Sequence, residues 1–211
     1  VLRPHAVTVG RHREPLDAST DPTSAILAAR IDGEPVPDAM AIGMVRQVLV
    51  VGIVAPLVMT GNICVHLAQH PELHAQLKAE PERVPAAVEE FLRLYTPYRG
   101  FARTANRDVE IGGRPIRAGE PIALVYASAN RDEAVFENPD AFILDRPNIK
   151  DHIAFGRGAH YCAGAALGRL QMRVLLEELL SATSRLELAA PPVMSPFPEL
   201  GPWQVRVKLH A

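Results

Sequence analysis

Phe155-Gly-Arg-Gly-Ala-His-Tyr-Cys-Ala-Gly164 places one cysteine, one histidine and three glycines immediately before a long helical pattern. Glycine has no Cβ and tolerates positive φ, so such a loop lets backbone approach a ligand closely. A cysteine at the mouth of a helix sits where backbone N–H groups and the helix dipole favour the thiolate over the thiol. A fixed thiolate with no second cysteine beside it reads as the ligand of one large metal cofactor.

The composition around this loop narrows the function. The chain has 211 residues, of which 48% are hydrophobic, enough for one substantial core or one lobe of a larger one. The net charge of −2 and a pI near 6.5 give no sign of a nucleic-acid surface. The two cysteines, Cys64 and Cys162, lie in unlike contexts, which argues against a disulfide and for a reducing, cytoplasmic compartment. The opening Val-Leu-Arg-Pro-His lacks the charged-then-apolar pattern of a signal peptide. The apolar run Val48–Met59 falls short of the ~20 residues a membrane span needs, so a buried core helix is expected there and no membrane partner.

Periodicity predicts a mostly α chain with small β-sheets. Asp21-Pro22 is a helix start, with a capping carboxylate and proline at the first helical position; Ala25–Ile31 continues it and Asp32-Gly33 ends it. Residues 37–70 read as one helix, apolar all round at its middle, ~50 Å long at 1.5 Å per residue and buried at its centre. His70-Pro71 stops it. A short helix follows over 71–79, then another over Ala86–Tyr95, closed by Thr96-Pro97. Val109–Ile111, Pro115-Ile116 and Pro121–Tyr126 read as strands joined by Gly112-Gly113 and Ala118-Gly119. Residues 127–154 show little regular pattern. Ala165–Ala182 is a strong helix, and Arg185–Leu188 and Trp203–Leu209 read as strands.

The pattern Phe155-x-x-Gly158-x-His160-x-Cys162-x-Gly164 resembles the haem-binding loop of the cytochrome P450 haem-thiolate monooxygenases. The resemblance implies the C-terminal portion of that fold over residues 1–211, with the N-terminal half of the same fold missing. It implies haem b (iron protoporphyrin IX) as cofactor and Cys162 as its axial iron ligand. Phe155, Gly156 and Gly164 would shape the loop, and Phe155 would shield the sulfur. His160 and Arg103 would each bind a haem propionate, because half-buried carboxylates need cationic donors.

A second motif agrees in order. Glu90-Phe-Leu-Arg93 puts a carboxylate and a guanidinium on one helix face. Alone this reads as a surface pair. In the resembling family a Glu-x-x-Arg helix at this place holds a buried pair that ties the segment before the cysteine to the core, and Arg146 is the candidate third member. The segment after that helix, Tyr98-Arg99-Gly100-Phe101, and the turn at Leu200 are expected to face substrate. Arg99 would either pair with a substrate carboxylate or point to solvent.

One departure bears on mechanism. The family's long helix carries an acid and a threonine that deliver protons to bound dioxygen, and the matching stretch here is Val51-Gly52-Ile53-Val54-Ala55-Pro56. Gly52 is retained, whereas Val54 and Ala55 cannot move a proton. Pro56 has no N–H for the Gly52 carbonyl and should kink the helix, leaving that oxygen free for a water. The expected activity is oxidation of a small to medium organic substrate with dioxygen and electrons from a ferredoxin or flavoprotein. The alternatives are a haem protein without oxygenase activity or driven by peroxide, and a haem-free fragment.

Overall fold

The computed structural model describes residues 4–14 and 16–211, so the first three residues of the opening stretch, read above as free of a leader pattern, lie outside the described residues. The chain divides into two compact units, 1–54 and 55–211, and the division falls within one long helix.

In the first unit, α1 (Pro4–Arg13) packs beside α2 (Pro22–Ala28). Asp21 caps α2, its carboxylate accepting from the Ser24 N–H at 2.7 Å, with Pro22 at the first helical position. The helix ends at Ala28 rather than Ile31. Arg30–Ile31 and Glu34–Pro35 instead form an antiparallel hairpin, β1 and β2, around Asp32-Gly33. Both turn residues have positive φ, 53° and 87°, so the Asp-Gly pair makes the tight two-residue turn that suits a hairpin.

The long helix α3 (Asp38–Gln69) runs unbroken past Pro56. Its ends are buried at Ala41 and Val45 and at Met59, Ile63 and Leu67, but its middle is not: Val48, Ile53 and Leu57 are 56%, 57% and 65% exposed. The expected burial of the centre is therefore corrected, because no described residue covers those side chains. The apolar pattern is longer than the run Val48–Met59 read from the sequence, because the helix continues at both ends. By length and composition alone α3 is long and apolar enough to cross a membrane, with 22% of its most apolar window buried.

The second unit builds its core where the C-terminal part of α3, α4 (Pro71–Ala79), α5 (Val84–Tyr95) and α7 (Ala165–Ala182) converge on β7 (Arg185–Leu188). Val84, Ala87, Val88 and Phe91 recur at helical spacing on α5 and are all buried. The Thr96 hydroxyl donates back to the Leu92 carbonyl at 3.1 Å at the end of α5, before Pro97. The β structure is a set of two-stranded antiparallel pairs: β3 (Phe101–Thr104) with β6 (Pro121–Leu124), β4 (Val109–Ile111) with β5 (Arg114–Ile116), and β7 with β10 (Val207–His210). A further pair joins β8 (Val193–Met194) to β9 (Pro202–Gln204), so the expected strand from Trp203 to Leu209 is broken in two. Tyr126 leaves the expected strand and opens the single turn α6 (Tyr126–Ala129).

Candidate functional site

The cysteine loop begins as a tight turn. The Gly156 N–H donates to the Ile153 carbonyl at 2.9 Å, and Gly156 and Gly158 both have φ of 72°, a region that a side chain resists. Gly158–His160 forms a 3-10 turn, and the chain then returns so that the Cys162 N–H donates to the Phe155 carbonyl at 2.9 Å. Gly164 precedes the first residue of α7. Cys162 is a free, half-exposed thiol, carried by a loop closed on itself by backbone hydrogen bonds. Cys64 is also free; it packs against the core, and burial pushes its thiol pKa up.

Glu90, Arg93 and Arg146 meet in one buried cluster. Arg93 grips the Glu90 carboxylate in a fork, Nε to Oε2 at 2.8 Å and Nη2 to Oε1 at 2.7 Å. Arg146 adds Nη2 to Oε1 at 3.0 Å, and the Ile143 N–H adds a bond at 3.0 Å. Glu90 and Arg93 have no exposed surface, and Arg146 is 4% exposed. Burial alone would push the Glu90 carboxyl up; the bonds from Arg93, Arg146 and the Ile143 N–H outweigh it and hold it below the usual carboxylate range. The arginines spend their other N–H groups on backbone carbonyls of Asn130, Pro139 and Ala141, so the irregular meander is pinned to α5.

The link from that cluster to the cysteine loop has no signature in the sequence pattern. Asn130, fully buried, accepts from Arg93 through its carbonyl and from the Ile153 N–H through its side chain at 2.7 Å. Its amide donates to the Thr96 hydroxyl at 2.6 Å. Ile153 is the residue whose carbonyl holds Gly156. One asparagine thus joins the end of α5 to the loop, from within a stretch whose sequence shows little regular pattern.

Arg103 lies on β3, paired with Ile122 of β6. Gly100 lets β3 start close to the end of β6, since a Cβ there would meet the Leu124 carbonyl oxygen at 2.2 Å. The Phe101 and Tyr126 rings lie 6.0 Å apart, and the Tyr126 hydroxyl sits 3.9 Å from the point a Gly156 Cβ would occupy, so this hairpin adjoins the cysteine loop. Among the described residues neither Arg103 nor the exposed His160 has a carboxylate partner; Arg103 donates only to the Ala102 carbonyl. An uncommitted thiol and two uncommitted cationic or titratable side chains on adjoining segments fit a cofactor that brings a soft metal and its own carboxylates.

Tyr98, Arg99 and Leu200 are brought together. The Arg99 N–H donates to the Pro198 carbonyl and the Leu200 N–H to the Pro97 carbonyl, at 2.8 and 2.9 Å. Arg99 is half-buried rather than pointed to solvent: its Nε donates to the Glu199 carbonyl at 3.0 Å and braces the C-terminal turn. Gly52 and Ala55 stand on α3 before Pro56, whose carbonyl accepts from the Thr60 hydroxyl at 2.8 Å. A cleft of about 470 Å³ near His66, Tyr95 and Phe142 involves no residue of the cysteine loop.

Comparison with known proteins gives the class to which this arrangement belongs. Residues 60–199 match the family model for cytochrome P450. The chain is 37% identical over 186 residues to cytochrome P450-terp of a Pseudomonas species, covering 88% of this chain and 42% of that protein. It is 36% identical over 180 residues to cytochrome P450 109 of Bacillus spizizenii, covering 85% and 44%. Among solved structures it superposes on a mutant of P450 EryK in complex with erythromycin B with a TM-score of 0.92 and 31% identity, over 99% of this chain and 54% of that one. The structure of CYP109Q5 from Chondromyces apiculatus gives 0.89 and 35%, over 98% and 54%. This chain belongs to the cytochrome P450 family. It spans less than half the length of those two curated relatives and about half that of the two solved chains.

Proposed function

We propose that this chain is the haem-ligating part of a P450-type monooxygenase, in which Cys162 would hold the iron of haem b. The observation that carries the reading is the free Cys162 thiol on a loop closed by its own N–H to the Phe155 carbonyl. Bound there, haem would supply the activation of dioxygen and the oxidation of a small to medium organic substrate.

The chain's own residues then have separate tasks. With haem bound, the Cys162 thiolate would hold its iron, and His160 and Arg103 would hold its propionates. Phe155, Gly156 and Gly164 keep the loop in one shape, and the Glu90–Arg93–Arg146 cluster braces it through Asn130. Tyr98 and Leu200 border the substrate. Electrons come from a ferredoxin or flavoprotein, with the exposed Arg157 as a contact, in a cytoplasmic setting that suits two unpaired cysteines. The rest of the P450 fold, the portion of the relatives this chain does not span, completes the enclosure.

Proton delivery must bypass the Val54 and Ala55 side chains. Pro56 has no N–H, so the Gly52 carbonyl lacks its helical donor and can hold a water. Pro56→Ala returns that donor; it is expected to lower product formed per electron consumed in the loaded protein, and unchanged coupling would exclude this route. Val54 and Ala55 also favour a second reading, a haem protein that uses peroxide. Product formed with hydrogen peroxide but not with dioxygen and a reductant would support it.

Haem titration tests the main reading. The chain should take up one equivalent, Cys162→Ala should lose thiolate ligation, and Arg103→Ala and His160→Ala should each weaken uptake about tenfold, the loss of one charge-assisted hydrogen bond. No uptake by the wild-type chain would favour a haem-free fragment.

A further inference from the structure

Three ionisable side chains that the proposed chemistry leaves unused converge behind the cysteine loop. Glu89 of α5 is held in a fork by Arg169 of α7, with Nε to Oε1 at 2.6 Å and Nη2 to Oε2 at 3.0 Å. His152 adds Nε2 to Oε2 at 3.0 Å. The remaining guanidinium nitrogen of Arg169, Nη1, donates to the Tyr161 hydroxyl at 3.3 Å. The guanidinium carbon lies 4.5 Å from the centroid of the Phe155 ring. That ring is also pressed on α7, since a Cβ at Gly168 would meet Phe155 Cε1 at 3.4 Å.

An ordinary surface pair contributes little, but this one is not free to move. The Glu89 side chain is 21% exposed and its carboxylate is occupied from two elements. Burial would raise its pKa; the bonds from His152 and Arg169 overcome that and bring it to about 2, so it stays ionised and keeps its grip. The two aromatic residues that Arg169 touches, Phe155 and Tyr161, are the acceptor of the Cys162 N–H and the neighbour of Cys162 in the chain.

We propose that Arg169, oriented by Glu89, is a positioning residue for Cys162: it clamps Phe155 and Tyr161 and so fixes where the sulfur is presented. This rests on Cys162 being the iron ligand, but the clamp itself is a property of the chain. The pair also sets a charge balance beside the loop, with one cation stacked on the ring and one anion behind it.

Hydrogen exchange on the cofactor-free 211-residue chain reads the clamp directly. Arg169→Gln should speed exchange of the Cys162 amide about tenfold, the loss of one stacked cation and its fork, while the Leu176 and Leu186 amides keep their protection. Arg169→Lys should restore part of it, since charge survives and the planar fork does not. In haem-loaded protein the reduction potential should fall in Arg169→Gln and rise in Glu89→Gln, each changing the ferrous-to-ferric ratio at fixed potential about threefold or more, ~28 mV for one electron. A purely structural pair would move both variants the same way. Unchanged Cys162 exchange, protection lost equally throughout the chain, or shifts of one sign would each overturn the proposal. Faster Cys162 exchange in a protein that takes up no haem would instead keep the clamp and remove the haem reading.

Discussion

Glu90 is the residue on which the bracing of the loop turns. It is fully buried and neutralises two arginines, so Glu90→Gln would leave two cations without a carboxylate in the core. Breaking such a cluster costs ~3–5 kcal/mol, a large part of a domain's stability. Urea denaturation of Glu90→Gln should show a loss of that order, and a loss under ~1 kcal/mol would mean the cluster is solvated. Glu89 makes a pH-dependent contribution of the opposite visibility. Its folded pKa of about 2 lies below the ordinary value of 4.5, so its contribution is present above pH 4.5 and is lost as pH falls towards 2. The contribution is about 2 kcal/mol once solvent at the partly exposed Arg169 is allowed for. Glu89→Gln should flatten the stability profile between pH 4.5 and 2; an unaltered slope there would assign the acid sensitivity to other carboxylates.

Among the elements, α3 carries two different environments along one hydrophobic pattern. Ile63 has no exposed surface, whereas Leu57, six residues earlier, is 65% exposed. Ile63→Ala should therefore cost ~2–4 kcal/mol in this chain, while Leu57→Lys should change its stability by less than ~0.5 kcal/mol and improve its solubility. Equal losses at both positions, measured by the same denaturation, would show that Leu57 is covered in solution. The bounds of α3, α4 and α7 and the end of α5 were legible because proline, threonine and apolar spacing mark them directly, while α5 starts at Val84, ahead of the expected Ala86, with Pro85 in its first turn. The burial of α3 was not, since an all-apolar stretch says that a cover is wanted and not whether one is present. The hairpin at Asp32-Gly33 carried its own turn signal, which the preceding helical residues masked.

For the whole molecule, the cysteine loop with its glycines is a local pattern that could be read from the sequence, whereas Glu90 with Arg93 alone read as a surface pair and took its buried place only from the family resemblance. Arg146 could likewise be placed only through that resemblance. Asn130, Glu89, His152 and Arg169 could not be marked, because their importance comes from contacts between segments 23 to 80 residues apart. The bond from Arg99 to the Glu199 carbonyl could not be marked for a related reason: the partner is a backbone carbonyl 100 residues away, which leaves no trace in side-chain pattern. The chain superposes on P450 chains that it spans by about half, and the proposed chemistry rests on one sulfur atom, that of Cys162. The absorption spectrum of the reduced, carbon monoxide-bound protein after haem loading is the most direct measurement of it. The account predicts the strongly red-shifted Soret band of thiolate ligation in the wild-type chain and its loss in Cys162→Ala; the same band in both proteins would contradict it.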